Sequence, residues 1–116
     1  MMFSTPSYGE WTKVSSSVSG DTYYVDFERI RKHDGYVYFW SLRDSLKPHP
    51  SSGFISHEAY SQGDCKLFRY KRLSYSFHKE PMGEGTGDLH EPFNKGWQYP
   101  PPDSSQEAII QSVCNH

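Results

Sequence analysis

Cys65 and Cys114 carry the clearest chemistry in this chain, because they are its only cysteines. They stand 49 positions apart, too far for a CxxC pair or any short metal-ligand spacing. One lies past the middle of the chain and the other two residues from its end, as a staple pinning the C-terminal tail onto the body would. A bridge closing a loop of roughly 50 residues stabilises by about 4 kcal/mol in the chain-entropy account. Two free buried thiols are the alternative, and redox compartment favours the bridge. A catalytic thiolate would need an imidazole or another cation beside it. Asp64, immediately before Cys65, raises a thiol pKa instead, and a disulfide removes the nucleophile altogether.

Six histidines follow, at 33, 49, 57, 78, 90 and 116. No two stand two, three or four residues apart, so no local metal motif is present and surface positions are expected for them. His57 with His78 across neighbouring strands is the one spatial pairing open to them. The run Gly83-Glu84-Gly85-Thr86-Gly87-Asp88 has a phosphate-loop composition, but that chemistry needs a helix directly after the glycines and a Gly-Lys-Ser/Thr. Pro92 and Gly96 follow instead, so the run reads as a flexible hairpin loop.

Tyr36, Tyr38 and Trp40 alternate along one strand and could stack on the bases of a single-stranded nucleic acid or on a sugar. Such platforms work beside a basic groove. Arg69, Lys71 and Arg72 form a short basic run, yet 12 Lys and Arg against 14 Asp and Glu leave a net charge of −2. That balance argues against a nucleic-acid partner. The sequence reading therefore places these rings in the core under a helix, since helix and sheet must each bury an apolar face.

These residues need a scaffold, and composition points to a sheet. Only 34% of the chain is hydrophobic while 16% is aromatic, which suits pleated surfaces better than a helical bundle. Residues 10–116 read as one domain, with 1–9 a disordered lead-in. Glu10 to Val18 and Thr22 to Phe27 form a hairpin about Ser19-Gly20-Asp21. A charged connector from Glu28 to Lys32, one helical turn around Ile30, leads to the turn Asp34-Gly35. Tyr36 to Leu42 is apolar on both faces and reads as a central strand. Lys47 to Gly53 is a proline-containing loop, Phe54 to Ser61 a weaker strand, and Asp64 to His78 the longest extended segment. Its broken alternation requires a bulge or a partly solvated face. Glu80 to Gly96 is rich in Gly and Pro and holds at most one short strand, near Thr86 to Leu89.

Past Trp97, the prolines Pro100 to Pro102 could serve as a polyproline ligand, but they suffice as the approach to a helix. Ser104 with Glu107 fits a capping box, and Asp103 with Gln106 repeats the signal one residue earlier. Ile109, Ile110, Val113 and Cys114 then share one helical face. The expected fold is α+β: an antiparallel sheet of about five or six strands with one C-terminal helix packed on it.

No stretch approaches the roughly 20 apolar residues that cross a bilayer. Residues 1–8 lack the apolar core of a signal peptide, so export requires a leader removed ahead of this chain, whereas a native start at Met1 implies the cytosol.

In order, Trp11, Tyr23-Tyr24-Val25-Asp26 with Arg29-Ile30, Val37 to Leu42, Asp64-Cys65, Arg69-Tyr70-Lys71, Met82 to Gly85, Trp97, Pro101 to Ser104 and Cys114 resemble the surface-adhesin protein E family of Gram-negative and other bacteria. The resemblance implies a small antiparallel sheet with a C-terminal helix tied back by a disulfide. The family takes its name from an exposed lipoprotein adhesin that binds host matrix proteins and haem, and the resemblance does not carry that ligand over to this chain. Only the fold carries over residue by residue.

The functional expectation is a non-enzymatic binding protein of the cell envelope or exterior, with no cofactor and no metal. Its partner surface is expected on the sheet face carrying Arg69, Lys71, Tyr70 and Tyr75, away from the helix. A sheet edge could also add a partner strand or pair two copies into a homodimer. Nucleic-acid or carbohydrate binding through Tyr36, Tyr38 and Trp40 is the alternative class, and haem ligation by an exposed His57 or His78 a lesser one.

Overall fold

The turns of this chain dictate its sheet. Gly20, at φ 99°, closes the first hairpin, with the Gly20 N–H donating to the Ser17 carbonyl at 3.1 Å. It joins β1 (Thr12–Ser16) to β2 (Thr22–Val25). Asp34 and Gly35 both sit at positive φ (53° and 83°) between β3 (Arg31–His33) and β4 (Tyr36–Asp44). That is the backbone a two-residue hairpin of matching twist requires. The computed structural model that shows this describes residues 10–116, so the expected disorder of 1–9 lies outside the described residues.

β5 (Ser56–Asp64), β6 (Arg69–His78) and β7 (Leu89–His90) complete an antiparallel seven-stranded sheet ordered β1-β2-β4-β5-β6-β7. β3 pairs with the first part of β4 while β2 pairs with its last part. Between them, Asp26 accepts from the Glu28 N–H at 3.1 Å and caps a single 3-10 turn at Phe27–Arg29. The expected helical turn exists two residues earlier than Ile30, and β3 is the strand that the charged connector conceals.

The stretch Asp64 to His78 is not one strand. Asp64 Oδ1 accepts the N–H groups of Lys66 and Leu67 at 3.1 and 3.3 Å, and Phe68 turns at φ 53°. An Asp side chain that satisfies its own turn competes with the ladder, so residues 65–68 become a hairpin tip. The broken alternation further on is a bulge: Ser61 pairs with Arg72 but Tyr60 pairs with Ser74, leaving Leu73 as the extra residue.

The helix α1 (Ser105–Cys114) starts where its cap places it, with Ser104 Oγ accepting the Glu107 N–H at 3.1 Å. Glu107 Oε1 reaches one residue further back than a capping box, to the Asp103 N–H at 2.9 Å. Ile109, Ile110 and Val113 are buried against Val25, Val37, Phe39 and Tyr70, and this cluster is the core. Cys65, on the hairpin tip, bonds Cys114 in the last turn of α1. No helix among the described residues is long and apolar enough to cross a membrane.

The helix covers Val37 and Phe39, not Tyr36, Tyr38 and Trp40. Those three are half-buried on the opposite side of β4, which corrects the expectation that they form the core. Tyr hydroxyls and the Trp N–H need partners or water. A dry helix–sheet layer is better filled by Val and Phe.

Candidate binding face

Pairing register assembles the face that α1 leaves open. Trp40 stands opposite Tyr60, Tyr38 opposite Gln62, Gln62 opposite Lys71, and Asp64 opposite Arg69. Residues directly opposite across a ladder share a face, so Tyr36, Tyr38, Trp40, Tyr60, Arg69 and Lys71 project to one side. The segment before α1 delivers one more ring. Gln98 bridges Tyr70 through main-chain hydrogen bonds of 2.8 and 2.9 Å, which sets Trp97 at the sheet margin.

There the Arg69 guanidinium lies 4.2 Å and the Lys71 ammonium 4.6 Å from the Trp97 ring, within cation–π range. Tyr36 packs against the same ring at 5.6 Å. Further along, Tyr60 contacts Tyr38 at 6.4 Å and Trp40 at 4.9 Å. The Arg29 guanidinium ends the row, 5.3 Å from the Trp40 ring and 5.8 Å from that of Trp11. Arg29 is held by the buried carboxylate of Asp26 at 2.6 Å.

Arg69 is bound by Asp64 at 2.9 Å. Burial pushes the Asp64 carboxyl up, but the bonds from Arg69, Leu67 and Lys66 outweigh burial and hold it below the usual carboxylate range. The same bond raises Arg69 further. Among the described residues no carboxylate pairs with Lys71 or with Arg31, the β3 residue opposite Tyr38. The face therefore combines aromatic rings with uncompensated positive charge.

The structure divides the residue set expected from sequence. Arg69 and Lys71 lie on the open face, whereas Tyr70 is buried in the core and Tyr75 turns toward His57 and Phe77. Alternation separates 69 and 71 from 70, and the bulge at Leu73 shifts Tyr75, which unbroken alternation would place beside them, to the other side. Sequence reading also missed Trp97, Tyr60 and Arg29 as members of the face. Trp97 sits in an irregular segment whose register no periodicity reveals.

The histidine pair does not form either. His57 and His78 sit on adjacent strands but on opposite faces, and neither is the exposed ligand expected for haem. His78 is 4% exposed. Its Nε2 lies 2.8 Å from Ser76 Oγ and 3.3 Å from Glu58 Oε2. His57 packs 4.7 Å from the Phe77 ring. Burial first, then the charges of Arg72, Arg43 and His78, depress its pKa from 6.5 to about 3. The other four histidines are exposed. No group of three or more His, Cys, Asp or Glu that could hold a metal ion occurs among the described residues.

The glycine run is a lid over the Glu58–His78 pair, not an anion cradle. The Gly83 N–H donates to Ser56 Oγ at 2.9 Å and the Met82 N–H to Asp44 Oδ1 at 2.8 Å, so these donors are already used. A Cβ on Gly87 would stand 2.5 Å from His78 Cε1 and 2.8 Å from the Phe77 carbonyl oxygen. Gly87→Ala should therefore destabilise by about 1–3 kcal/mol, the usual cost of overpacking. Urea denaturation checks this, and an unchanged midpoint would show that the lid does not seat on His78.

Known proteins decide the lineage. The surface-adhesin protein E family model matches residues 11–115. The chain belongs to that family. Solved structures agree on the fold: Haemophilus influenzae protein E superposes with a TM-score of 0.64 at 19% identity, covering 90% of this chain and 83% of that one. A second crystal form of that protein gives 0.65 at 19% identity over 90% and 87%. Protein E from non-typeable Haemophilus influenzae gives 0.62 at 19% identity over 90% and 75%. No curated protein matches the chain significantly by sequence. A disulfide such as Cys65–Cys114 is expected in a surface-exposed family, because such bonds persist outside reducing compartments.

Proposed function

We propose that this chain is a non-enzymatic, adhesin-like binding protein of the bacterial envelope or exterior, periplasmic, outer-membrane-associated or secreted. It engages an acidic protein surface through the open face of its sheet. The observation that carries the reading is Trp97 stacked under Arg69 and Lys71 beside Tyr36. Rigid aromatics beside Arg are the composition of interface hot spots. Lys71 and Arg31, without carboxylate partners among the described residues, supply charge that an acidic partner would complement and that salt would screen.

The test measures binding of the purified protein to immobilised extracellular matrix proteins, and adhesion of protein-coated beads to epithelial cells, at rising salt. Trp97→Ala should weaken binding at least about tenfold, the scale of losing a hot-spot ring. Lys71→Glu should weaken it and flatten the salt dependence. Binding unchanged in both variants would remove this face as the adhesive surface. Sedimentation at several concentrations tests pairing through β1 or β7, the strands that end the sheet.

Carbohydrate binding is a second reading, favoured by the placement of Tyr36, Tyr38 and Trp40 on the open side instead of under α1. Tryptophan quenching by a neutral oligosaccharide that survives high salt would favour it over the acidic-protein reading.

A further inference from the structure

On the helix side of the sheet, a pocket of about 310 Å³ opens where α1 begins. Arg43 and Arg72 line it together with His57, and among the described residues no Asp or Glu does. Neither arginine has a carboxylate partner among the described residues. Arg43 is exposed, but the Nε of Arg72 is wholly buried and has no acceptor among the described residues. A guanidinium cannot shed its charge, so a half-buried one without a carboxylate partner carries a desolvation cost that an anion in the pocket would offset.

The amino end of α1 adds to this field. The Glu107 N–H is taken by Ser104 Oγ and the Ala108 N–H by the Ser104 carbonyl. The main-chain N–H groups of Ser105 and Gln106 belong to the first turn, where a helix supplies no acceptor of its own. Glu107, the acidic residue of that turn, is engaged with the Asp103 N–H. Tyr23, Ala59 and Ile109 give the pocket an apolar wall. Its volume is at the lower end for small-molecule sites, enough for an oxyanion and a small carrier group.

We propose that this pocket binds the tetrahedral oxyanion of a small phosphate or sulfate ester, with Arg43 and Arg72 as the charge-pairing groups and the first turn of α1 as main-chain donor. The neutral imidazole of His57 adds a hydrogen bond to the ester. The site lies on the other side of the sheet from Trp97, so it does not depend on the adhesive reading.

Titration calorimetry and amide NMR with glucose 6-phosphate, glucose 6-sulfate and glucose test it. At least one ester should bind saturably at roughly millimolar concentration or below, shifting the Ser105 and Gln106 amides, while glucose does not. The ester that binds identifies the source of the oxyanion. Arg72→Gln should weaken binding about tenfold or more, as loss of a charge-assisted contact does. Arg43→Gln, at an exposed position, should weaken it as well. Bound ester should also raise the His57 pKa by offsetting the two arginines. Trp97→Ala should leave ester binding intact. Absence of binding by both esters, equal binding of glucose, or unchanged affinity in both arginine variants would overturn the proposal.

Discussion

Reducing the Cys65–Cys114 bond, or replacing both residues by Ser, should lower stability by about 4 kcal/mol, because the bond closes a loop of 49 positions. At roughly 4 °C per kcal/mol for a domain of this length, the melting temperature should fall by about 10–20 °C. The location of the bond adds a structural consequence. It joins the β5–β6 hairpin tip to the last turn of α1, which supplies Ile109, Ile110 and Val113 to a core whose other buried members are Val25, Val37, Phe39 and Tyr70. A ten-residue helix is marginal by itself, so its amides should lose exchange protection before those of β4 and β5. Urea midpoints of the oxidised and reduced protein, with hydrogen exchange, measure both effects. A loss below about 1 kcal/mol would mean that packing alone holds the helix and that the loop-entropy account fails here.

The features legible in the sequence were those with local causes. The Ser104 cap, the apolar stripe of α1 and the Gly20 and Asp34-Gly35 turns each follow from a few neighbouring residues, whereas the broken alternation in β6 left a bulge and a solvated face equally open until the pairing register decided for the bulge. The short strand expected near Thr86 to Leu89 is β7 at Leu89–His90, and the strand hidden from the sequence is β3, whose three residues are all exposed and leave no hydrophobic pattern. The Asp64 turn was readable in principle, since Gly63-Asp64 is turn chemistry. The rich β-formers around it masked the signal.

The candidate face was legible only in part, for a geometrical reason. β4 is apolar on both sides, and alternation separates its residues into two sets without saying which one the helix covers. The polar tips of Tyr36, Tyr38 and Trp40 contained that information. Trp97, Arg29 and the pair Arg43–Arg72 depend on non-local register: β2 and β3 share one edge of β4, and the Gln98 bridge fixes the segment before α1. No single stretch of sequence encodes such a meeting.

The second large effect should appear in acid and trace to His57. Its pKa is 6.5 when unperturbed and about 3 in the folded protein, because burial, Arg72 and Arg43 disfavour the imidazolium. Between those values the unfolded chain binds a proton that the native state refuses. Stability contributed by neutral His57 is therefore fully present above about pH 7 and declines as pH falls toward 3, on the order of a few kcal/mol in all. Glu58 opposes this modestly: burial raises its carboxyl, so the native state takes up that proton first and gains stability as pH drops through its titration. The His57 effect should prevail because it spans the wider window. Urea denaturation from pH 7.5 to 4 should show net proton uptake on unfolding, and His57→Gln should reduce that uptake by close to one proton near pH 5. The imidazole of His57 should stay neutral by NMR through this range. A His57 midpoint between pH 6 and 7, or the same uptake in the variant, would show that burial and the Arg43–Arg72 cluster do not hold the ring uncharged.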